Sequence, residues 1–183
     1  MRALGILLCL LLLSACQPGR NLPHMPAAAA GAYHLGPGDV VRLITYGEEQ
    51  LTGEFRVSDS GSIALPLVGP VHAAGLSPDA LAARVSQALV RADVLRTPSV
   101  SAEVVAYRPV FVLGEVSKPG QYAYQPGMTV VTAAAVAGGF TYRAVQDYVS
   151  IVRASDGIAV EGRANRQDFI QPGDVITVFE RRF

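Results

Sequence analysis

This sequence has few cysteines and no excess of either charge. Its 183 residues carry 15 lysines and arginines against 15 aspartates and glutamates, two cysteines, and no basic run longer than Arg181-Arg182. Because nucleic-acid binding draws on counterion release by clustered cations, this balance argues against a nucleic-acid partner. Half of the residues are hydrophobic and the mean hydropathy is +0.31, which excludes a disordered chain and fits one medium or two small globular domains with a tail.

Histidine is also rare, and its distribution gives little basis for a metal site. His24, His34 and His72 do not have the spacing of four on a helix, and no cysteine or carboxylate cluster accompanies them. A zinc site needs three or four such ligands. We interpret the three histidines as solvated or incidental, and we expect neither a metal nor a cofactor.

Catalytic motifs are missing as well. The sequence has no Gly-x-Ser-x-Gly elbow, no Walker loop and no Gly-x-Gly-x-x-Gly fingerprint. A glycosidase would need paired carboxylates, for which Glu48, Glu49, Glu54 and Asp59 are the nearest candidates. Adjacent residues of a strand or loop point to opposite sides, so Glu48 and Glu49 are poorly placed to flank one bond. A solvated acidic loop is the favoured interpretation, and we predict that the protein is not an enzyme.

Tyrosines supply seven of the thirteen aromatic residues. They stand at positions 33, 46, 107, 122, 124, 142 and 148. Aromatic faces stack on sugar rings, so contact with carbohydrate is one interpretation. Tyrosine is also an ordinary strand residue, and filling of the sheets is the favoured interpretation.

The amino terminus has the features of a targeting segment. Met1-Arg2 precedes an apolar run over residues 3–13, which is well short of the roughly 20 residues of a spanning helix. The segment ends in Leu13-Ser14-Ala15-Cys16, which resembles the lipobox of bacterial lipoproteins. That resemblance implies a signal peptide over residues 1–15 and a Cys16 that carries diacylglycerol on sulfur and an acyl chain on nitrogen. More than one chain is enough for stable membrane anchoring.

Cleavage before Cys16 would change the counts. It removes 15 residues, leaves 168, and leaves 14 basic against 15 acidic side chains because Arg2 is lost. Cys9 is lost too, so with Cys16 lipidated the mature chain has no free thiol for a disulfide, a nucleophile or a metal ligand. Residues 16–32 are rich in proline, glycine and alanine and predict a flexible tether that lets the domains stand off the membrane.

A first domain is predicted over residues 33–106, where short β-like runs are separated by glycine and proline. The runs lie at 40–46, 54–57, 63–68 and 99–106. Residues 59–62, Asp-Ser-Gly-Ser, have the chemistry of a tight turn and predict a hairpin between the second and third runs.

A helix is predicted between the third and fourth runs. Ser77 can cap it, Pro78 suits the first turn, and Asp79 faces the positive end of the dipole. An apolar stripe at helical spacing predicts a face packed on a sheet. The stripe consists of Leu81, Val85, Ala88, Leu89 and Ala92, with Arg84, Gln87 and Arg91 on its flank.

A second domain is predicted over residues 107–183. Its strand-like runs lie at 110–116, 121–124, 149–153 and 174–179. A short apolar helix follows Thr129 and stops at Gly138-Gly139. A sheet around one short helix predicts a β-grasp-like domain. The expected fold class is therefore α+β, with two small β-rich domains that each pack a sheet on one main helix.

A Pro-Gly-Asp sequence occurs once in each predicted domain. Pro37-Gly38-Asp39 and Pro172-Gly173-Asp174 each stand directly before a β run. Proline at the second and glycine at the third position are typical of a type II turn, so two similar turns without functional meaning remain an alternative to a shared role.

Taken in order, these segments resemble one family over nearly the whole mature chain, the outer-membrane polysaccharide export proteins of Wza type. Residues 33–43, 57–71 and 74–100 look like the export domain of that family. Residues 111–122, 137–141 and 170–178 are similar to its soluble-ligand-binding β-grasp domain. The motif residues to which the resemblance gives a role in the fold or in subunit contact are Gly36, Pro37, Gly38, Asp39, Gly61, Pro66, Gly69, Gly75, Pro98, Gly114, Pro119, Gly120, Gly138, Gly139, Pro172, Gly173 and Asp174.

The resemblance implies a non-catalytic subunit of a homo-oligomeric ring, an octamer in the best-known case, that exports capsular or exopolysaccharide across the outer membrane. It also implies an outer-membrane lipoprotein that faces the periplasm and works with an inner-membrane polysaccharide co-polymerase. Longer members continue into a C-terminal amphipathic helix that forms a pore, whereas this sequence stops at Phe183, so we expect a separate outer-membrane β-barrel partner.

Two other functions stay open at this point. One is a periplasmic carbohydrate- or cell-wall-binding lipoprotein without a conduit role, and the other is a glycan-cleaving enzyme that uses Glu48, Glu49, Glu54 or Asp59. Oligomeric state separates the first alternative from an export ring.

Overall fold

The computed structural model describes residues 18–26, 33–155 and 158–181. It has the expected α+β fold, with two helices longer than a single turn and three small sheets among these residues. The chain divides into two compact units. Of the described residues, 33–109 and 123–125 form the first domain, and 18–26, 110–122 and those from 126 onward form the second. Cys16 lies outside the described residues.

The first domain contains two sheets. Strands β1 (Val40–Thr45), β2 (Gly53–Arg56) and β5 (Val100–Ala106) form an antiparallel sheet in the order β2-β1-β5. Strands β3 (Ser62–Leu65) and β4 (Gly69–His72) form an antiparallel pair of their own. A one-turn 3-10 helix (Glu49–Leu51) lies between β1 and β2.

Helix α1 (Pro78–Arg91) covers the core of the first domain and begins where the sequence predicts. The Ser77 hydroxyl accepts a hydrogen bond from the amide of Ala80 at 3.2 Å, and Pro78 occupies the first turn. The predicted apolar stripe is buried except for Ala92, which is the exposed C-cap. The largest fully buried side chains of this core are Val41, Leu43, Leu51, Val57, Ile63, Leu81, Val85 and Leu89.

The predicted hairpin between the second and third runs is wrong. Residues 58–62 do form a tight turn, in which the amide of Gly61 donates to the carbonyl of Ser58 at 2.8 Å. The strands on either side of this turn belong to different sheets, because β2 pairs with β1 and β3 pairs with β4. The third predicted run, 63–68, therefore ends early at Leu65, and its remaining residues form the connection to β4.

The second domain is a five-stranded mixed sheet with the order β7-β6-β10-β8-β9. Its strands are β6 (Val110–Gly114), β7 (Gly120–Tyr122), β8 (Tyr148–Ser155), β9 (Ile158–Asn165) and β10 (Val175–Val178). The last strand, β10, runs parallel to β6 and antiparallel to β8 in the middle of the sheet. This central parallel pair, together with one short helix, is the β-grasp-like arrangement that the sequence predicts.

Helix α2 (Val130–Val136) is the helix of the second domain. Thr129 and Thr132 form a reciprocal capping box at its start, and Val130, Ala133 and Ala134 are buried. At its end, the amide of Gly139 donates to the carbonyl of Ala134 at 2.8 Å, which stops the helix at the predicted glycine pair.

Residues 18–26, named here the strap, pack on the second domain and differ from the tether expected over 16–32. Met25 is buried, its amide donates to the carbonyl of Arg163 at 2.8 Å, and the amide of Arg163 donates to the carbonyl of Pro23 at 2.7 Å. The Tyr148 hydroxyl donates to the carbonyl of Pro18 at 3.0 Å. Because the two bonds with Arg163 fall on the outer edge of β9, the strap covers an edge strand that would otherwise expose its backbone groups.

Candidate functional site

The first Pro-Gly-Asp sequence is a type II turn closed by its own aspartate. The amide of Asp39 donates to the carbonyl of Gly36 at 3.1 Å, and Gly38 has a φ of 97°. The fully buried Asp39 carboxylate accepts from the amide of Gly36 at 2.8 Å and from the amide of Arg108 at 2.9 Å. The turn is thus joined to residue 108, at the opposite end of the first domain's sequence.

Two longer side chains complete the surroundings of Asp39. The Tyr33 hydroxyl donates to the carboxylate at 2.6 Å and accepts from the Arg108 guanidinium at 3.2 Å, while Arg108 Nε lies 3.5 Å from the carboxylate. Burial and the neighbouring Asp39 charge raise the pKa of Tyr33. A tyrosine with a raised pKa stays protonated, so here it serves as a hydrogen-bond donor.

The second Pro-Gly-Asp sequence repeats this geometry in the second domain. The amide of Asp174 donates to the carbonyl of Gln171 at 3.1 Å, and the fully buried carboxylate accepts from the amide of Gln171 at 2.8 Å. Both nitrogens of the Arg153 fork donate to Asp174, at 2.8 and 2.7 Å. Bidentate arginine pairs of this kind fix geometry as well as charge. The two sequences therefore share an aspartate-capped turn with an arginine partner.

A groove lies between β4 and α1 on the first domain and has a volume of about 640 Å³. Its polar lining comes from His72 on β4 and from Arg84, Gln87 and Arg91 on α1. Val68, Val71 and Ala88 are among the apolar residues below them. Among the residues that the structure describes, no aspartate or glutamate lines this groove.

A second, smaller depression adjoins the groove on α1. It has a volume of about 370 Å³ and is lined by Ser86, Gln87, Val90, Arg91 and Pro98. Gln87 and Arg91 line both, so the two depressions are neighbours on the surface of the helix.

Comparison with known proteins gives two family matches in tandem. The family described as polysaccharide biosynthesis/export protein matches residues 27–105, and the SLBB domain matches residues 109–164. The order is the one that the sequence resemblance predicts. The chain belongs to the polysaccharide export protein family.

Individual relatives support this assignment. The chain is 34% identical to the exopolysaccharide production protein ExoF of Rhizobium meliloti over 67% of its own length and 33% of that protein. It is 32% identical to the polysialic acid transport protein KpsD of Escherichia coli, over 77% of the chain and 25% of the relative. It is 26% identical to the EPS I polysaccharide export outer membrane protein EpsA of Ralstonia nicotianae, over 84% of the chain and 49% of the relative. The chain thus spans between a quarter and a half of these relatives.

The remaining residues that the sequence resemblance singles out occupy turns and element ends. In the first domain these residues are Gly61 before β3, Pro66 and Gly69 around the β3–β4 connection, Gly75 before α1 and Pro98 before β5. In the second they are Gly114 at the end of β6, Pro119 and Gly120 at the start of β7, and Gly138 and Gly139 after α2. Among these residues, Pro98 alone lines one of the two depressions described above.

Gly114 is the position where glycine is most clearly required. Its φ is 82°, and a Cβ there would collide with the backbone carbonyl of Val178 on the neighbouring strand β10. The close approach lets the amide of Glu115 donate to that same carbonyl at 3.0 Å.

The acidic candidates for catalysis fall in different surroundings. Glu54 accepts a hydrogen bond from Arg42 at 2.8 Å, and this arginine also binds Glu103 at 2.9 Å on the exposed face of the sheet. These bonds raise the pKa of Arg42. Glu48 and Glu49 belong to the 3-10 helix and its cap, and Asp59 is exposed in the 58–62 turn.

The three histidines are also separated. His24 lies in the strap, where its ring contacts Asn165 at 3.1 Å; His34 is exposed before the first turn, and His72 lines the groove. Over residues 18–26, 33–155 and 158–181, no group of three or more metal-ligating side chains is close enough to hold a metal ion. The same ranges contain no helix long and apolar enough to span a membrane.

The tyrosines divide between packing and exposure. Tyr107 contacts Tyr33 edge-on at 4.9 Å between ring centroids and Tyr124 at 5.5 Å, which builds an aromatic cluster beside Asp39. Tyr46 and Tyr142 are 86% and 83% exposed, so these two have the open rings that a sugar contact requires.

Sequence reasoning did not single out the groove, although Arg84, Gln87 and Arg91 on one flank of α1 were its visible signal.

Proposed function

We propose that this protein is a non-catalytic subunit of an outer-membrane complex that exports capsular or exopolysaccharide. The tandem match to the export and SLBB families carries the proposal, and the relatives named above are production, transport and export proteins of polysaccharides. The resemblance to Wza-type proteins favours a ring of identical subunits that face the periplasm. A conduit for a hydrophilic polymer needs a water-filled path with weak repeated contacts.

Lipidation of Cys16 belongs to the same proposal. The lipobox Leu13-Ser14-Ala15-Cys16 supports it, and the anchor would hold the subunits at the outer membrane. Cys16→Ala should abolish incorporation of labelled palmitate and release the protein from the membrane fraction. Incorporation that persists in this variant would contradict lipidation at Cys16.

A deletion strain tests the export role directly. We expect polymer to accumulate in the periplasm, with its repeats still polymerised, and the surface polymer to be lost. Complementation with the intact gene should restore the surface polymer. Normal surface polymer in the deletion strain would refute the export role.

Engineered cysteines test the ring. With Cys16 lipidated and Cys9 removed, the mature chain has no free thiol, so a single new cysteine can form a disulfide only between subunits or with another protein. Leu67→Cys and Tyr142→Cys place a thiol at positions that are 74% and 83% exposed, one in each domain. Disulfide-linked dimers, together with a native mass of several subunits after mild membrane extraction, would support the ring. Monomers alone would argue against it.

A carbohydrate-binding lipoprotein without a conduit role is the second candidate, favoured by the groove and the adjoining depression on the first domain. It predicts monomers and a deletion strain with normal export.

The partners proposed for the export role are an inner-membrane polysaccharide co-polymerase and a separate outer-membrane β-barrel. Stable conducting pores formed by the purified protein alone would contradict the need for that separate partner.

A further inference from the structure

The groove between β4 and α1 concentrates positive charge in a protein whose charges balance as a whole. Arg84 and Arg91 both line it, and within the part of the chain that the structure describes neither side chain forms an ion pair or a hydrogen bond. By contrast, the guanidinium groups of Arg42, Arg143 and Arg153 each bind a carboxylate. The groove therefore holds two cations without a counter-charge.

The distance between the two arginines indicates which kind of anion the groove can bind. They stand seven residues apart on α1, so they share one face of the helix with about 10 Å between their backbone positions. Each guanidinium can hold one carboxylate through two parallel hydrogen bonds. Two forks at this separation fit carboxylates on different units of a polymer better than a single acidic sugar.

The other lining residues suit the neutral parts of such a polymer. Gln87 lies between the two arginines on α1, and His72 of β4 also lines the groove. Amide and imidazole groups can both donate to and accept from hydroxyls. Val90, which is 48% exposed, and Pro98 line the adjoining depression and offer apolar contacts to the C–H faces of sugar rings.

We propose that this groove binds a carboxylate-bearing segment of the exported polysaccharide, with Arg84 and Arg91 holding carboxylates on separate sugar units. The proposal rests on the proposed export function and narrows its substrate to an acidic glycan. A volume of about 640 Å³ falls in the range of binding sites in proteins, which is about 300–1,000 Å³.

Binding of defined oligosaccharides to the purified full-length lipoprotein in detergent tests the site. The probes are a hexamer of galacturonic acid and, as the neutral match, maltohexaose, each titrated at low and at 0.5 M salt. We expect binding of the acidic hexamer that weakens at high salt, and no binding of maltohexaose. Arg84→Gln combined with Arg91→Gln should lower the affinity for the acidic hexamer at least tenfold.

Two further variants separate binding from folding. Arg96→Gln removes the same charge from an exposed arginine that lines neither depression, and it should leave the affinity unchanged. Arg84→Lys combined with Arg91→Lys keeps the charge but loses the fork, so its affinity should fall between wild type and the glutamine variant. All variants should have a thermal unfolding midpoint within a few degrees of that of the wild type. If the two arginines had a purely structural role, the midpoint of the double glutamine variant would fall further.

Either of two binding results would overturn the proposal: equal affinity for both hexamers, or an unchanged affinity in the double glutamine variant. Complementation of the deletion strain separates this failure from failure of the export role. If the double variant binds the acidic hexamer as wild type does and also restores surface polymer, the groove assignment is wrong and the export function stands. If the deletion strain exports normally, the export function itself is wrong.

Discussion

Asp39 and Asp174, 135 positions apart, each accept a hydrogen bond of 2.8 Å from the backbone amide three residues before them. Each carboxylate is fully buried, follows a Pro-Gly turn, stands directly before a strand and faces an arginine. In both domains, the same short sequence thus fixes the direction in which the chain enters a strand. A buried carboxylate with an arginine partner also makes each turn sensitive to the loss of one charge.

Removal of Asp174 should destabilise the second domain strongly. In Asp174→Ala, Arg153 keeps a largely buried charge without its partner, and loss of one member of a buried pair typically costs about 3–5 kcal/mol. Urea denaturation followed by circular dichroism measures the change. Adding Arg153→Met should recover part of the loss, because the unpaired charge is then gone.

Glu54→Ala is the matched control for this pair. It breaks the ion pair with Arg42, in which both side chains are about half exposed, so the effect on the free energy of unfolding should be much smaller. A loss in Asp174→Ala no greater than in Glu54→Ala would mean that the buried pair does not hold the turn.

Gly114→Ala should cost more than the same substitution at Gly127. Both glycines have a φ near 80°, so alanine at either position carries the strain of the left-handed region, about 1–2 kcal/mol. Only at Gly114 does the new Cβ also meet the carbonyl of Val178, whereas no atom lies within 4 Å of it at Gly127. Overpacking adds about 1–3 kcal/mol, which thermal unfolding can resolve. Equal losses of stability in the two variants would show that β10 shifts to accommodate the new Cβ at no cost.

Stability at alkaline pH should depend on Tyr33. Its pKa is raised in the folded state, so the unfolded chain releases this proton first, at the ordinary tyrosine pKa of about 10. The stabilising contribution is complete below pH 10 and is lost as the pH rises from there towards the folded-state pKa. In Tyr33→Phe the fall of the urea midpoint above pH 10 should be shallower than in wild type.

Tyr46→Phe serves as the control for this pH profile, because it removes the hydroxyl of a tyrosine that is 86% exposed. Its profile should follow wild type. If Tyr33→Phe and Tyr46→Phe change the alkaline slope equally, then the contact between Tyr33 and Asp39 does not survive in solution.

The strap should contribute measurably to the second domain. Met25 is 6% exposed, and truncation of a buried methionine to alanine typically costs about 2–5 kcal/mol. Tyr148→Phe removes the hydrogen bond to Pro18 and should cost about 0.5–1.5 kcal/mol. Leu67→Ala, at a leucine that is 74% exposed, is the control in the same thermal unfolding assay. A Met25→Ala variant as stable as Leu67→Ala would indicate that the strap is detached in solution.

The sequence predicted the elements with strong periodic signals and missed those without them. Helix α1 followed from Ser77, Pro78 and an apolar stripe, and its cap and buried face are as expected. Of strand β4 the sequence indicated only a strand-like stretch at 71–73, because the strand begins with Gly69 and Pro70. Strand β9 was not predicted because its residues do not alternate between apolar and polar. The incorrect hairpin has a related cause, since a tight turn at 58–62 specifies a reversal but not which strands pair across it.

The candidate sites show the same division. Proline and glycine at fixed turn positions predicted the two type II turns, because those positions depend on local backbone angles. The arginine partners could not be predicted, since Arg108 is 69 residues from Asp39 and Arg153 is 21 residues from Asp174. The groove required both α1 and β4, and of these two only α1 was predicted as a complete element.

The strap also sets a distance. If Cys16 carries the lipid as proposed, one residue, Gln17, separates it from Pro18, whose carbonyl is bonded to Tyr148 of the second domain. An extended chain advances at most about 3.6 Å per residue, so Pro18 can lie no further than about 7 Å from the lipidated residue. The anchor would then keep the second domain at the bilayer surface, and a spacer inserted between Gln17 and Pro18 would be needed before this domain could move away from the membrane.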